Sequence, residues 1–249
     1  MSSEKSMSKR QAMRAKRERQ ARIQQMSILG IVIVGALLIA FALIYPNLRP
    51  VGEVAAASFH DRPMVNDNAM GDPNAPIRIE EFSDFQCPYC ARFHNDTENQ
   101  VVDTYVATGK VYFVYRSFGS FIGQESKAAA EAAYCAGDQN KYWEYHDVLF
   151  ANQTGENVGA FSDRRLQAFA ESLSLDMSTF NSCLNGGKYT DRVTQDYQDG
   201  LAAGVKATPS FVMYYTVNGQ QQQKLIEGAL PFDQFQQNIE AALTEMGAQ

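Results

Sequence analysis

Two cysteines separated by two residues, in Cys87-Pro88-Tyr89-Cys90, are the residues best suited to do chemistry in this chain. Thiol-disulfide exchange requires a thiolate, and an ordinary cysteine, with a pKa of about 8.5, is only about 3% ionised at pH 7. The segment follows a strand-like run and starts a helix-like run, so unpaired N–H groups and the positive end of the helix dipole lie beside the first sulfur. We predict Cys87 as the attacking thiolate and Cys90 as the resolving thiol.

A zinc site is the main alternative for a Cys-x-x-Cys segment. Zinc would need a second such segment or a histidine pair at ligand spacing, whereas His60, His94 and His146 are scattered along the chain. His94 is interpreted as a surface or core residue. The sequence therefore predicts a redox-active pair, with no metal and no cofactor. Pro88 fits this prediction because the first turn of a helix does not use the N–H that proline lacks.

The dipeptide Thr208-Pro209 is the second feature of interest, more than a hundred residues further along. Pro209 directly precedes the strand-like run 210–217, where its missing N–H is tolerated at a strand entry. Only a minority of X-Pro bonds are cis, so the local pattern alone favours a trans bond.

The elements that must position these residues alternate between strand and helix. Strand-like runs at 77–82 and 111–118 flank a helix-like run at 92–108. Helical patterns then dominate from about 123 to 204. A strand at 210–217, an Asn-Gly turn typical of a type I′ hairpin, a strand near 224–227 and a helix at 232–246 follow. The order β-α-β, helical block, β-β-α predicts an α/β fold split by a helical insertion.

The N-terminal region has a different composition. Residues 1–26 carry eight Lys or Arg against two Asp or Glu, and the rest of the chain carries 14 against 26. Ser27 to Ile44 is uncharged, and as a helix it would span roughly 27 Å, close to the hydrocarbon core of a bilayer. We predict a basic cytoplasmic tail at 1–26, a transmembrane anchor at 27–45 and an extracytoplasmic remainder, by the positive-inside rule. A nucleic-acid-binding tail is the less favoured interpretation.

Residues 46–76 are predicted to be a linker, since five of the eight prolines fall there without apolar periodicity. Ala55-Ala56-Ala57 leaves open a cleaved signal peptide. That site lies more than ten residues beyond an apolar run already longer than the usual signal core, so a retained signal-anchor is favoured.

The motif EFSDFQCPYCARF, the later GVKATPSF and the helical insertion between them together resemble the DsbA-like thioredoxin family. The resemblance covers about Gly71 to the C-terminus. It implies a thioredoxin fold over 77–249 with an inserted helical subdomain at about 123–204. It also implies that Thr208 and a cis Pro209 lie against the disulfide and bind substrate backbone, together with Pro88 and Tyr89.

The same resemblance assigns roles to three more residues. Glu81, six residues before Cys87, matches a buried acid that relays the proton of the resolving thiol, although a solvated strand end is the alternative. Cys135 and Cys183 match a structural disulfide that would stabilise the fold by roughly 4 kcal/mol on the chain-entropy model. A second redox relay is the weaker interpretation of those cysteines. Tyr142, Trp143 and Tyr145 are predicted to form the core of the insertion.

The function implied is oxidation of reduced secreted or surface proteins by a membrane-anchored monomer. A quinone-linked membrane partner of the DsbB or vitamin K epoxide reductase type would reoxidise the enzyme. The rivals are a disulfide isomerase or reductase of the same fold, and a non-enzymatic peptide-binding or chaperone module. An intact Cys-x-x-Cys with Thr-Pro argues against the module.

Overall fold

The computed structural model describes residues 9–48 and 51–247, and the chain divides into two compact units, Met1–Pro50 and Val51–Gln249. In the first unit a single helix, α1 (Lys9–Leu48), extends well into the predicted basic tail. Its segment Lys16–Tyr45 is the one described stretch long and apolar enough to cross a membrane, judged by length and composition. Large apolar side chains such as Ile31 and Leu37 are more than half exposed within this unit.

The second unit is a five-stranded sheet with helices packed against it, and its order of elements confirms the predicted thioredoxin fold. The strands are β1 (Ala69–Met70), β2 (Ile77–Ser83), β3 (Val111–Ser117), β4 (Ser210–Val217) and β5 (Gln220–Glu227). Their spatial order is β1-β3-β2-β4-β5. The pair β2 and β3 is parallel, and the other neighbours are antiparallel.

Strand β2 lies at the centre of the sheet, and six of its seven residues are buried. Strands that are covered on both faces usually consist of a nearly continuous run of apolar residues, so a carboxylic acid such as Glu81 is unusual in this strand. The chain leaves β2 through a short turn into α2 (Pro88–Phe93), then α3 (Asn99–Val101), with π-helical turns at His94–Glu98 and Val102–Val106. The helix thus begins at Pro88, within the Cys-Pro-Tyr-Cys segment as predicted.

The helical insertion consists of α4 (Gln124–Gly137), α5 (Tyr142–Ala151), α6 (Asp163–Ser172), α7 (Met177–Asn185) and α8 (Thr190–Ala202). Tyr142, Trp143 and Tyr145 are each at most 2% exposed, as expected of its core. Helix α8 approaches the sheet closely at Gly200, where an added Cβ would lie 2.7 Å from Phe118.

The C-terminal elements form the predicted hairpin and helix. Asn218 and Gly219 both have positive φ, as a type I′ turn requires, and they join β4 to β5. Helix α9 (Phe232–Glu245) then buries Phe235, Ile239 and Leu243.

Residues 51–76 differ from the predicted linker, because they belong to the second unit and pack on it. The backbone of Ala55 exchanges two hydrogen bonds with the Asn152 side chain, at 2.8 and 3.0 Å. Arg62 is buried in an ion cluster, and β1 extends the sheet. Sequence composition missed this packing because it depends on partners in distant helices and strands.

Candidate active site

Cys87 and Cys90, the redox pair, lie at the junction of β2 and α2. Cys87 is the N-cap of α2, with extended backbone, and Pro88 occupies the first helical position as predicted. Both cysteines are free thiols, Cys87 at 6% exposure and Cys90 at 0%. The first sulfur therefore lies just under the surface and the second lies in the core.

The two thiols have opposite acidities. The pKa of Cys87 is lowered to about 6, first by a hydrogen bond from the Cys90 thiol, and then by Thr208 and backbone N–H groups at the start of α2, against the opposing effect of burial. Burial is the main cause that raises the pKa of Cys90 well above its usual range. The helix N-terminus contributes as the sequence suggested, but the neighbouring thiol contributes more.

The Thr208-Pro209 bond is cis and lies against the redox pair. The Cys87 Sγ is 3.4 Å from the Thr208 carbonyl oxygen, across 121 residues of sequence. Pro88 and Tyr89 face outward, and the Arg92 guanidinium lies 5.0 Å from the centre of the exposed Tyr89 ring. The structure therefore brings Cys87 together with Thr208 and Pro209, as predicted. It leaves the Pro88-Tyr89 dipeptide accessible to solvent.

Glu81 is 1% exposed in the middle of the sheet, paired in register with Tyr115 on β3 and Phe211 on β4. Its Oε2 has no hydrogen-bond partner. Burial, then repulsion from Glu98, raises the pKa of this carboxyl well above its usual range. The alternative of a solvated strand end does not occur at this residue, because Glu81 is buried.

Asp84 is a second buried acid that the sequence analysis missed. Its N–H donates to the Cys90 Sγ at 3.4 Å, its Oδ1 accepts from the Gln86 N–H at 2.8 Å, and its Oδ2 has no partner. Burial is the main cause that raises the pKa of this carboxyl to about 7. The sequence did offer a signal for this acid, since Asp84 lies only three residues before Cys87.

The three histidines are not all scattered in space, contrary to the sequence interpretation. The rings of His94 and His146 have centroids 5.1 Å apart, and both approach Glu98. Helix spacing could have paired His94 with Glu98, but nothing local pointed to His146, which comes from α5.

Cys135 and Cys183 form a disulfide between α4 and α7, with their Cα atoms 5.8 Å apart. Both residues are buried, and the surrounding core is apolar. We call this bond the insertion disulfide. Neither of its cysteines lies at the N-terminus of a helix, the position that favours a thiolate at Cys87.

Comparison with known proteins places this arrangement in context. Residues 64–241 match the sequence profile described as Thioredoxin. A Na⁺/H⁺ antiporter NhaA 1 of Salinispora arenicola is 32% identical over 146 residues, which is 58% of this chain but only 21% of the antiporter. A probable disulfide bond formation protein D of Bacillus cereus is 26% identical over 189 residues, covering 74% of this chain and 82% of that protein.

Solved structures agree on the fold. The oxidised crystal structure of BdbD from Bacillus subtilis superposes with a TM-score of 0.62 at 22% identity, and covers 77% of this chain and 100% of that one.

Proposed function

Because the chain belongs to the thioredoxin family, as a DsbA-like member, we propose that it is a thiol:disulfide oxidoreductase that oxidises reduced protein substrates through Cys87 and Cys90. The observation that carries the proposal is the asymmetry of the redox pair: a thiol of lowered pKa just under the surface, next to a fully buried thiol of raised pKa. An attacking sulfur must be ionised, while a resolving sulfur must be shielded from other partners.

The exchange runs in two steps. A substrate thiolate attacks Cys87 Sγ of the enzyme disulfide, so that the bond between Cys87 and Cys90 breaks and Cys90 accepts a proton. The second substrate thiolate then attacks the first substrate sulfur, which is bonded to Cys87 in the mixed disulfide. The substrate disulfide forms, and Cys87 leaves as a thiolate. The substrate loses two electrons and the redox pair gains them. Because the reduced enzyme retains a stabilised thiolate, the couple favours oxidation of the substrate.

The substrate backbone is proposed to bind as an extended segment beside Thr208 and Pro209. The Thr208 carbonyl oxygen lies 3.4 Å from Cys87 Sγ. The exposed Pro88 and Tyr89 supply further apolar contact surface next to Cys87 in the chain.

The cellular setting is also a proposal. Helix α1 supplies a candidate membrane anchor, and its basic first half suits a cytoplasmic N-terminus. The second unit would then act outside the cytoplasm as a monomer on secreted or surface proteins. Reoxidation would fall to a quinone-linked membrane enzyme of the DsbB or vitamin K epoxide reductase type.

Two measurements test the activity. A redox titration should give a potential above about −200 mV, compared with about −270 mV for thioredoxin. Replacing Cys90 by Ser should trap mixed disulfides between Cys87 and client proteins, whereas the matched Cys87→Ser variant should trap none. A potential near that of thioredoxin would favour a reductase, and an absence of trapped clients would favour a binding module.

Membrane extraction tests the anchor. The full-length protein should stay with membranes washed at alkaline pH, because the α1 segment is apolar and long enough to span. Release of a mature form that begins near Ser58 would show cleavage instead.

A further inference from the structure

Five charged or titratable side chains form a buried cluster in the second unit. They come from three separate parts of the chain: the segment before β1, the π-helical turn after α2, and α5. Their side chains are between 0 and 12% exposed. We call this set the histidine cluster; its members are Arg62, His94, Glu98, His146 and Asp147.

Hydrogen bonds link all five members. Arg62 donates to Glu98 Oε1 at 2.7 Å and to both oxygens of Asp147 at 2.8 and 2.9 Å. His94 Nδ1 lies 3.0 Å from Glu98 Oε2, and His146 Nδ1 lies 3.0 Å from Asp147 Oδ1. One arginine faces two carboxylates, so a single proton on a histidine completes the charge balance.

His146 Nε2 is fully buried and has no hydrogen-bond partner. A bond from Nδ1–H to Asp147 leaves Nε2 as an acceptor with a free lone pair. The nearest carboxylate oxygen, Glu98 Oε2, is 3.8 Å away and is itself an acceptor. A proton arriving between these two atoms would therefore be stabilised by both.

The cluster lies close enough to Glu81 to act on it. The charge of Glu98 raises the pKa of Glu81, and Arg62 lowers it. Tyr115, paired with Glu81 in the sheet, has its pKa raised mainly by burial, with smaller contributions from both Glu81 and Cys90. The ring centroids of Tyr115 and His146 are 5.1 Å apart, so the cluster contacts the residue that pairs with Glu81 in the sheet.

The other end of the cluster reaches solvent. Arg62 and Asp147 line a cavity of about 290 Å³, large enough for several water molecules. His94 is 12% exposed, the most accessible side chain of the five. The titratable and charged groups that face the cluster are Glu81 and Tyr115 from the sheet, and His60, Asp61 and Glu144 at the cavity.

We propose that the histidine cluster moves the proton between Glu81 and solvent during each redox cycle, with His146 Nε2 as the inner acceptor and His94 as the outer one. The proposal rests on the function proposed above. Ordinary protein disulfide exchange needs no such path at Cys87, whose thiolate is close to the surface.

The balance of the oxidation step is simple. When the enzyme is reoxidised, Cys90 attacks the mixed disulfide on Cys87, a sulfur–sulfur bond forms, and the partner leaves as a thiolate. Cys90 gives its proton to Glu81, and the cluster passes that proton on to water. The two cysteines lose two electrons, and the partner disulfide gains them. Reduction runs the same proton transfers in reverse.

The experiment mixes the reduced full-length protein, in detergent and EDTA, with dithionitrobenzoate (DTNB) and follows coloured thiolate release by stopped flow. The first phase reports attack by Cys87, and the second reports attack by Cys90. We expect His146→Gln to slow the second phase about tenfold or more and to flatten its pH profile, with the first phase changed less than about twofold. His94→Gln is the second variant and should show the same pattern more weakly.

Asp196→Asn is the matched control, since Asp196 is 2% exposed in a separate arginine cluster with Arg116. It should leave both phases unchanged. Equal second phases in the unaltered protein and in both histidine variants would overturn the proposal.

The same three groups, His94, Glu98 and His146, offer ligand atoms within 4.8 Å of one another. A second phase that EDTA abolishes and added zinc restores would therefore assign the cluster to a metal ion and overturn the relay. Absence of the first phase from the unaltered protein would instead contradict the proposed function itself.

Discussion

The molecule contains two pairs of cysteines in opposite environments. The redox pair lies where a central strand meets a helix start, beside two acids and a cis proline. The insertion disulfide joins the bodies of two helices among apolar side chains. The same residue type therefore serves exchange in one region and cross-linking in the other.

The surroundings of each sulfur therefore determine its chemistry. Cys87 has hydrogen-bond donors arranged around it, which stabilise the thiolate and so the reduced state. Cys135 and Cys183 close a long loop instead, and a cross-link of that length restricts the unfolded chain. Four experiments test this contrast between the redox pair and the insertion disulfide.

The largest effect is expected from Cys87→Ser. A hydroxyl is not ionised near neutral pH, so exchange with a reduced model protein should fall by at least about a thousandfold. The measurement is the rate of disulfide formation in that protein. Residual exchange through Cys135 and Cys183 would show that the insertion disulfide is also redox-active and would end the contrast.

The double variant Cys135→Ala, Cys183→Ala should lose roughly 4 kcal/mol of unfolding free energy, from the 48-residue separation of the two cysteines. Chemical denaturation of the isolated domain measures it. The first DTNB phase should be unchanged. A large loss of Cys87 reactivity without a loss of stability would reverse the roles assigned to this disulfide.

The free energy of unfolding should also depend on pH through Cys87, but only in the reduced protein, where Cys87 is a titratable thiol. The folded pKa of Cys87 is about 6, below its ordinary value of 9.0, so its stabilisation is present above about pH 9 and is lost as pH falls through 6. With allowance for solvent screening, we expect the reduced protein to gain about 2 kcal/mol relative to the oxidised protein between about pH 6 and 8.5.

Denaturation of both redox states across that range measures the difference. Cys87→Ser, which cannot form the disulfide and has no thiolate at this position, should show no such gain when it is denatured across the same pH range. A constant difference between the two states would mean that Cys87 titrates at its ordinary pKa.

The smallest effect concerns Asp84. Its ionised carboxylate repels the Cys87 thiolate, so Asp84→Asn should lower the pKa of Cys87 further, by about half a unit to one unit. Titration of the thiolate by ultraviolet absorbance measures the shift. Glu80→Gln is the control, because Glu80 lies on the face of β2 opposite to Glu81 and accepts a hydrogen bond from Arg78. An upward shift would mean that Asp84 stabilises the thiolate.

The sequence determined the features that depend on neighbouring residues. The Cys-Pro-Tyr-Cys segment begins α2 with proline in its first turn, and Asn218-Gly219 forms the hairpin turn. The order of strands and helices followed from periodicity, because side-chain spacing within an element depends only on that element. The resemblance to a known family, confirmed by comparison, added the fold and the buried position of Glu81.

Only the tertiary structure decided which distant residues meet. The four cysteines allow three pairings, and packing of α4 on α7 selects one. Arg62, in a segment that reads as a linker, reaches Asp147 across 85 residues, and His146 joins His94 from another helix. Composition and local propensity contain no information on such contacts, because their free energy comes from burial and charge pairing that exist only once the chain has folded.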